Sequence, residues 1–196
     1  MAAVAAAKDS GEEKPIVKLG YDSGKTIGKV YVTIENTKYA GGALSGTIVS
    51  GQYDLGENDS MMTCILKALQ MGGYGWTGTG GGGQGYGITY ISGIFEDKNG
   101  NGKLDSGERS LSEFDGGKKS GWMGTQNDWF NNEGFAMFSV KNGKLENGDE
   151  LHVMYTTDYG EDIGGSWNNG NTSLAGLTIN GGSLSPAFSA GQKEYT

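Results

Sequence analysis

Residues 97–108 read Asp-Lys-Asn-Gly-Asn-Gly-Lys-Leu-Asp-Ser-Gly-Glu, and this stretch restricts the fold of the chain more tightly than any other. Oxygen-bearing side chains fall at places one, three, five, nine and twelve, with glycine at six, a spacing that wraps oxygens around one point. Asp97, Asn99 and Asn101 supply the first three. Gly102 allows the sharp turn, and the Lys103 carbonyl fills place seven. Asp105 acts at place nine through a water, and Glu108 closes the shell with two oxygens. The same residue types dominate ordinary solvated turns. With every ligand place matched, the spacing predicts a Ca2+ loop.

The surroundings of this loop are not those of a helix–loop–helix sensor. Upstream, Tyr86-Gly-Ile-Thr-Tyr-Ile-Ser-Gly-Ile-Phe is rich in β-branched and aromatic residues and reads as a strand. Downstream, Arg109-Ser-Leu-Ser-Glu-Phe is short and polar, without a sustained 3.6-residue period. A sensor opens by swinging its helices, so the expectation here is a structural clamp on a long excursion between strands. Only three of the ligand places carry carboxylates, which predicts binding in the extracellular range of about 10⁻⁴ to 10⁻³ M.

Composition sets the outer bounds. Fifteen basic residues against 23 acidic ones give a net charge of −8, which argues against nucleic acid and anionic membrane surfaces as partners. No apolar run approaches the roughly 18–20 residues of a spanning helix, so no membrane insertion is expected. The opening Met-Ala-Ala-Val-Ala-Ala-Ala-Lys lacks the basic and apolar stretches of a full signal peptide. Cys64 is the single cysteine, so no internal disulfide forms, a pattern that suits a bacterial surface protein better than an animal secreted one. Thirty-eight of 196 residues are glycine, yet 35% hydrophobic content is enough to build a core.

Along the chain, residues 1–13 read as a tail. Gly28–Asn36 alternates cleanly, and Thr47–Tyr53 is a second strand candidate. One helix follows over Met61–Met71, capped by Asp59 or Ser60 and ended by Gly72-Gly73. Residues 72–87 are nearly all glycine with a few aromatics and read as a loop. Lys144–Thr156 reads as a turn plus a strand. The expected fold is mainly β (α+β): an antiparallel sheet or sandwich with one short helix and the calcium loop as an insertion, filling residues 14–168. Residues 169–196 read as a linker followed by part of another module.

Two resemblances accompany this reading. The helix Met61–Met71, Gly121-Trp122-Met123 and Gly148-Asp149-Glu150-Leu151, behind an N-terminal strand, resemble the transcobalamin-C-terminal-like domain of bacterial surface proteins over about residues 27–160. That resemblance implies a compact sheet with one helix, used as a module of secreted or wall-attached chains. The calcium loop looks like an insertion relative to that pattern. Leu184-Ser-Pro-Ala-Phe188 followed by Tyr195 is similar to the opening of cadherin-like β-sandwich domains, over residues 172–196.

Other chemical patterns are weaker. Gly20-Tyr-Asp-Ser-Gly-Lys25-Thr26 has one residue too few for a phosphate-binding P-loop. With His152 as the only histidine, the usual Ser or Cys triad and a nitrogen–sulfur zinc site are both disfavoured. The expectation is therefore a non-enzymatic, calcium-stabilised module of an extracellular, cell-surface adhesion-type protein. Its expected partners are a surface glycan or protein ligand, neighbouring modules of the same chain, or further copies of itself. An alternative is a carbohydrate or small-ligand (cobalamin-like) binder using Tyr74, Trp76 and Tyr86 as its contact surface. A weaker alternative is a self-assembling surface subunit whose terminal segment adds strands to a neighbour.

Overall fold

A computed structural model describes residues 21–80, 86–130 and 133–165. The alternation around residue 30 becomes strand β1 (Thr26–Asn36), which turns Val30, Val32 and Ile34 fully inward and leaves Tyr31 exposed on the opposite face. β2 (Gly46–Gly56) returns antiparallel beside it. The connection is fixed by Asn36, whose buried amide donates to the carbonyls of Tyr39 and Leu44 while its oxygen accepts from the Tyr39 N–H.

The helix α1 spans Met61–Met71, the bounds its period predicts. Ser60 caps it, accepting from the Thr63 N–H, and the Thr63 hydroxyl reciprocates at the Ser60 N–H. Asp59, the other candidate cap, is fully buried just outside. Its carboxylate accepts from the Gly56 N–H and the Thr63 hydroxyl and pairs with Lys67. Eight of the eleven helical residues are buried, so α1 is a core helix enclosed on nearly every side. Cys64 is among them, as a small core residue.

Strands β3 (Tyr74–Thr79), β4 (Tyr90–Glu96) and β5 (Ser110–Ser112) make a three-stranded antiparallel sheet. β3 corrects the reading of residues 72–87 as a loop throughout. Its glycines are used for close approach: a Cβ on Gly75 would stand 2.3 Å from the Phe95 ring. They thus admit a neighbouring strand's aromatic where a side chain would block it.

The last strands, β6 (Gly121–Gln126), β7 (Trp129–Phe130) and β8 (Glu150–Thr156), join the first two in a five-stranded sheet of order β2-β1-β8-β6-β7. β6 and β7 are linked by Asn127-Asp128, both at positive φ (50° and 64°), as a tight two-residue hairpin demands. β8 lies parallel to β1 and antiparallel to β6, so one parallel pairing makes this sheet mixed. A 3-10 turn at Phe135–Met137 leads into Phe138, whose carbonyl accepts the Met61 N–H at the start of α1. The protein is thus mainly β, two sheets with one buried helix. Among the described residues no helix is long and apolar enough to cross a membrane. The segment 172–196, with its cadherin-like resemblance, lies outside the described residues.

Candidate metal centre

The twelve-residue stretch forms the connection of a β-hairpin. β4 ends at Glu96 and β5 begins at Ser110, and Phe95 faces Ser110 across the ladder. Strand–loop–strand is the arrangement that the flanking residues predict. The chain turns within it at Gly100, Gly102 and Gly107, all at positive φ. At Gly102 (φ 70°) nothing lies within 4 Å of a would-be Cβ, so glycine is required there by backbone conformation alone.

The ligand-place side chains organise the loop through hydrogen bonds. Asp97 accepts the N–H groups of Asn101 (3.0 Å) and Gly102 (2.9 Å), one on each carboxylate oxygen. Asn99 Oδ1 accepts from the Asn101 N–H, and Asn101 Oδ1 from the Lys103 N–H. Glu108 reaches back over the loop and accepts from the Lys98 N–H (2.7 Å) and the Asp105 N–H (2.8 Å). Asp105 receives the side-chain amides of both Asn99 and Asn101 at 2.7 Å on its Oδ2. Those two donors hold its carboxyl below the usual carboxylate range.

Oxygen donors of this kind are what a hard cation takes, and Asp97, Asn99, Asn101, Asp105 and Glu108 are all drawn into one hydrogen-bonded loop. Two details separate the arrangement from a finished coordination shell. Among the described residues, no three His, Cys, Asp or Glu side chains gather closely enough to hold a metal between them. Asn99 and Asn101 also present nitrogen, not oxygen, to Asp105. The donors are of the oxygen type that a hard cation takes, but in this arrangement they are engaged with one another and with the loop backbone.

Sequence reasoning missed the clasp at the base of the loop. Glu96 and Arg109 flank it, and the guanidinium Nε donates to Glu96 Oε1 at 2.9 Å. The Arg109 N–H donates to the other carboxylate oxygen at 3.2 Å, and Lys98 Nζ stands 3.4 Å from it. Arg109 chiefly, with Lys98 assisting, holds the Glu96 carboxyl down to about 2. An acid and a base immediately outside the two ends of the loop were the available indication.

The aromatic residues considered as an alternative contact surface are largely packed into the fold. Trp76 is 5% exposed and belongs to the core. Tyr86 stacks on Tyr21 (ring centroids 5.0 Å apart), meets Trp76 edge-on at 5.7 Å and donates its hydroxyl to Gln70 Oε1. Burial pushes its phenol up to about 12. Tyr74 is half-buried, with its phenol also raised by burial. These rings satisfy one another and the helix; they do not form an open stacking platform. Trp122 is likewise a core residue, its indole N–H donating to the Leu111 carbonyl. Compared with known proteins, the chain matches no family model and no curated sequence.

Proposed function

We propose that this chain is a non-enzymatic, calcium-stabilised extracellular module of a bacterial cell-surface protein. The observation that carries the reading is the pair of hydrogen bonds from the Lys98 and Asp105 N–H groups to the Glu108 carboxylate. They bring the twelfth ligand residue back against places two and nine of the loop. The residues that would hold the ion are Asp97, Asn99, Asn101, the Lys103 carbonyl, Asp105 through water, and Glu108. Bound there, calcium would neutralise three carboxylates and lock the β4–β5 connection. Such a role is mechanical. A ligand that binds only the native state raises its stability by RT ln(1 + [L]/Kd), about 2.7 kcal/mol at a hundredfold excess.

Calorimetric titration with calcium, with melting followed in parallel, tests the proposal. Saturable binding and a raised melting temperature are expected, both abolished by Glu108→Ala. An identical melt in calcium and in chelator would reduce residues 97–108 to a polar turn and remove the basis for the assignment.

A further inference from the structure

Four Asn-Gly pairs lie among the described residues, beginning at Asn99, Asn101, Asn142 and Asn147, and all four asparagines are exposed. In such a pair the glycine nitrogen approaches the asparagine side chain unhindered, because glycine has no Cβ. That nitrogen gives up its proton and attacks Cγ. A C–N bond forms, the Cγ–Nδ2 bond breaks, and ammonia leaves with a proton from water. Water then opens the cyclic imide at either carbonyl, leaving an aspartyl or, mainly, an isoaspartyl residue. Water is the one co-reactant and nothing is oxidised or reduced. The following glycines, 100, 102, 143 and 148, all have positive φ, so backbone conformation does not choose among the four pairs. Hydrogen bonding does.

Two pairs are locked by the fold. Asn147 Oδ1 accepts the Lys29 N–H at 2.8 Å, and the Gly148 N–H donates to the Lys29 carbonyl at 2.7 Å, so both reacting groups are bonded to β1. Asn142 Oδ1 accepts from the Ser139 and Lys144 N–H groups, and its amide donates to the Met137 carbonyl at 2.7 Å. The Gly143 N–H donates to the Val140 carbonyl at 3.1 Å. At Asn101 the nucleophile is restrained by charge. The Gly102 N–H donates to the Asp97 carboxylate at 2.9 Å, and a negative neighbour opposes ionisation of that nitrogen.

Asn99 carries none of these restraints. The Gly100 N–H meets the Asp97 carbonyl at 3.4 Å, beyond the usual N–H···O range of about 2.7–3.2 Å. Asn99 Oδ1 accepts the Asn101 N–H at 3.0 Å, a donor placed where negative charge develops on that oxygen as the nitrogen attacks. Its bonds to Asn101 and Asp105 lie within the exposed loop, so the side chain turns without opening a sheet. We propose that Asn99 is a site of spontaneous covalent modification, deamidating through a cyclic imide with Gly100. The chemistry stands whether or not the loop binds an ion, but its consequence rests on the calcium reading above. The aspartyl product adds a carboxylate at place three. The isoaspartyl product inserts a backbone methylene between places three and five and spoils the ligand spacing.

The full chain is incubated at mildly alkaline pH, native and in denaturant. Peptides carrying the four pairs are followed by mass spectrometry, with fragmentation that separates aspartyl from isoaspartyl. In the native chain Asn99 is expected to convert first, at least about tenfold faster than Asn147, whose reaction waits for the sheet to open. In denaturant all four are expected to convert, with the gap between Asn99 and Asn147 closed. Asn99 left unchanged in the native chain while the denatured chain converts overturns the proposal, as does any of the other three pairs converting ahead of it. Calcium titration of the chromatographically separated products reads the consequence. Tighter binding by the aspartyl form and binding weaker by at least about tenfold in the isoaspartyl form are expected. No calcium binding by any form, unmodified chain included, removes the calcium reading and leaves the modification standing. Equal binding by all forms overturns the link between the modification and the loop.

Discussion

Arg109 and Glu96 close the base of the 97–108 hairpin, with guanidinium and backbone N–H of one residue both donating to the carboxylate of the other. The contact joins the last residue of β4 to the residue before β5, so it limits the entropy of the twelve residues between them. The folded Glu96 carboxyl sits at about 2, below its ordinary 4.5. A depressed carboxyl contributes stability that is present above the unfolded value and lost as pH falls through the folded one. Arg109→Ala is therefore expected to lower the melting temperature at neutral pH. The gap to wild type narrows below about pH 4.5 and closes near pH 2. Melting curves across that range check this, and a gap independent of pH would show that Glu96 is not the partner that matters.

Asn99 and Asn101 supply a separate test of the loop. Both amide nitrogens now bond to Asp105. Replacing Asn101 by Asp removes one of those donors and sets a second carboxylate against the first. Without calcium, Asn101→Asp is expected to melt lower than wild type; with calcium, the added charge raises affinity by about tenfold, as ligand charge does in such loops. The opposite signs in the two conditions are the diagnostic. A variant destabilised equally in both would mean that the loop responds to polar packing alone.

The contrast between what was legible in the sequence and what was not follows from range. Helix α1 is written locally, in its apolar spacing, Ser60 and Gly72, and its bounds follow at once. β1 is equally local, with Val30, Val32 and Ile34 on one face. β3 was hidden because Gly75 and Gly78 read as flexibility, whereas their missing side chains make room for Phe95 and for the Tyr90 backbone. The parallel pairing of β1 with β8 joins residues more than a hundred positions apart, and no local pattern announces it. Trp76 stands in a glycine-rich run, and its burial is set by the packing of β3 against the core and not by its neighbours in the chain.

Cys64 is predicted to be inert in the folded state. Its side chain is fully buried in α1, and burial, reinforced by the nearby Asp59 carboxylate, pushes the thiol up to about 12. Only thiolate reacts with alkylating or disulfide reagents. At neutral pH, labelling is expected to track global unfolding, slowing with each condition that stabilises the fold. Rapid stoichiometric labelling of the native protein would show that α1 opens locally.

Tyr155 ties three segments together beneath the β5–β6 connection. Its buried hydroxyl donates to the Ser112 carbonyl at 2.7 Å, accepts the Gly116 N–H at 3.1 Å and meets Ser120 Oγ at 3.0 Å. Its ring also packs edge-on against Trp122, centroids 5.1 Å apart. Tyr155→Phe keeps the ring and removes only the hydroxyl, leaving the Ser112 carbonyl and Gly116 N–H without that partner. A loss of about 1–3 kcal/mol is expected from equilibrium denaturation. Trp122→Ala removes the ring on the other side and creates a cavity between the sheets, for a loss of about 3–5 kcal/mol. Because the two residues touch, their effects should not add: the double variant is expected to fall short of the sum by at least about 0.5 kcal/mol. Strict additivity in that cycle would mean that the hydroxyl network and the aromatic contact hold the β5–β6 connection independently.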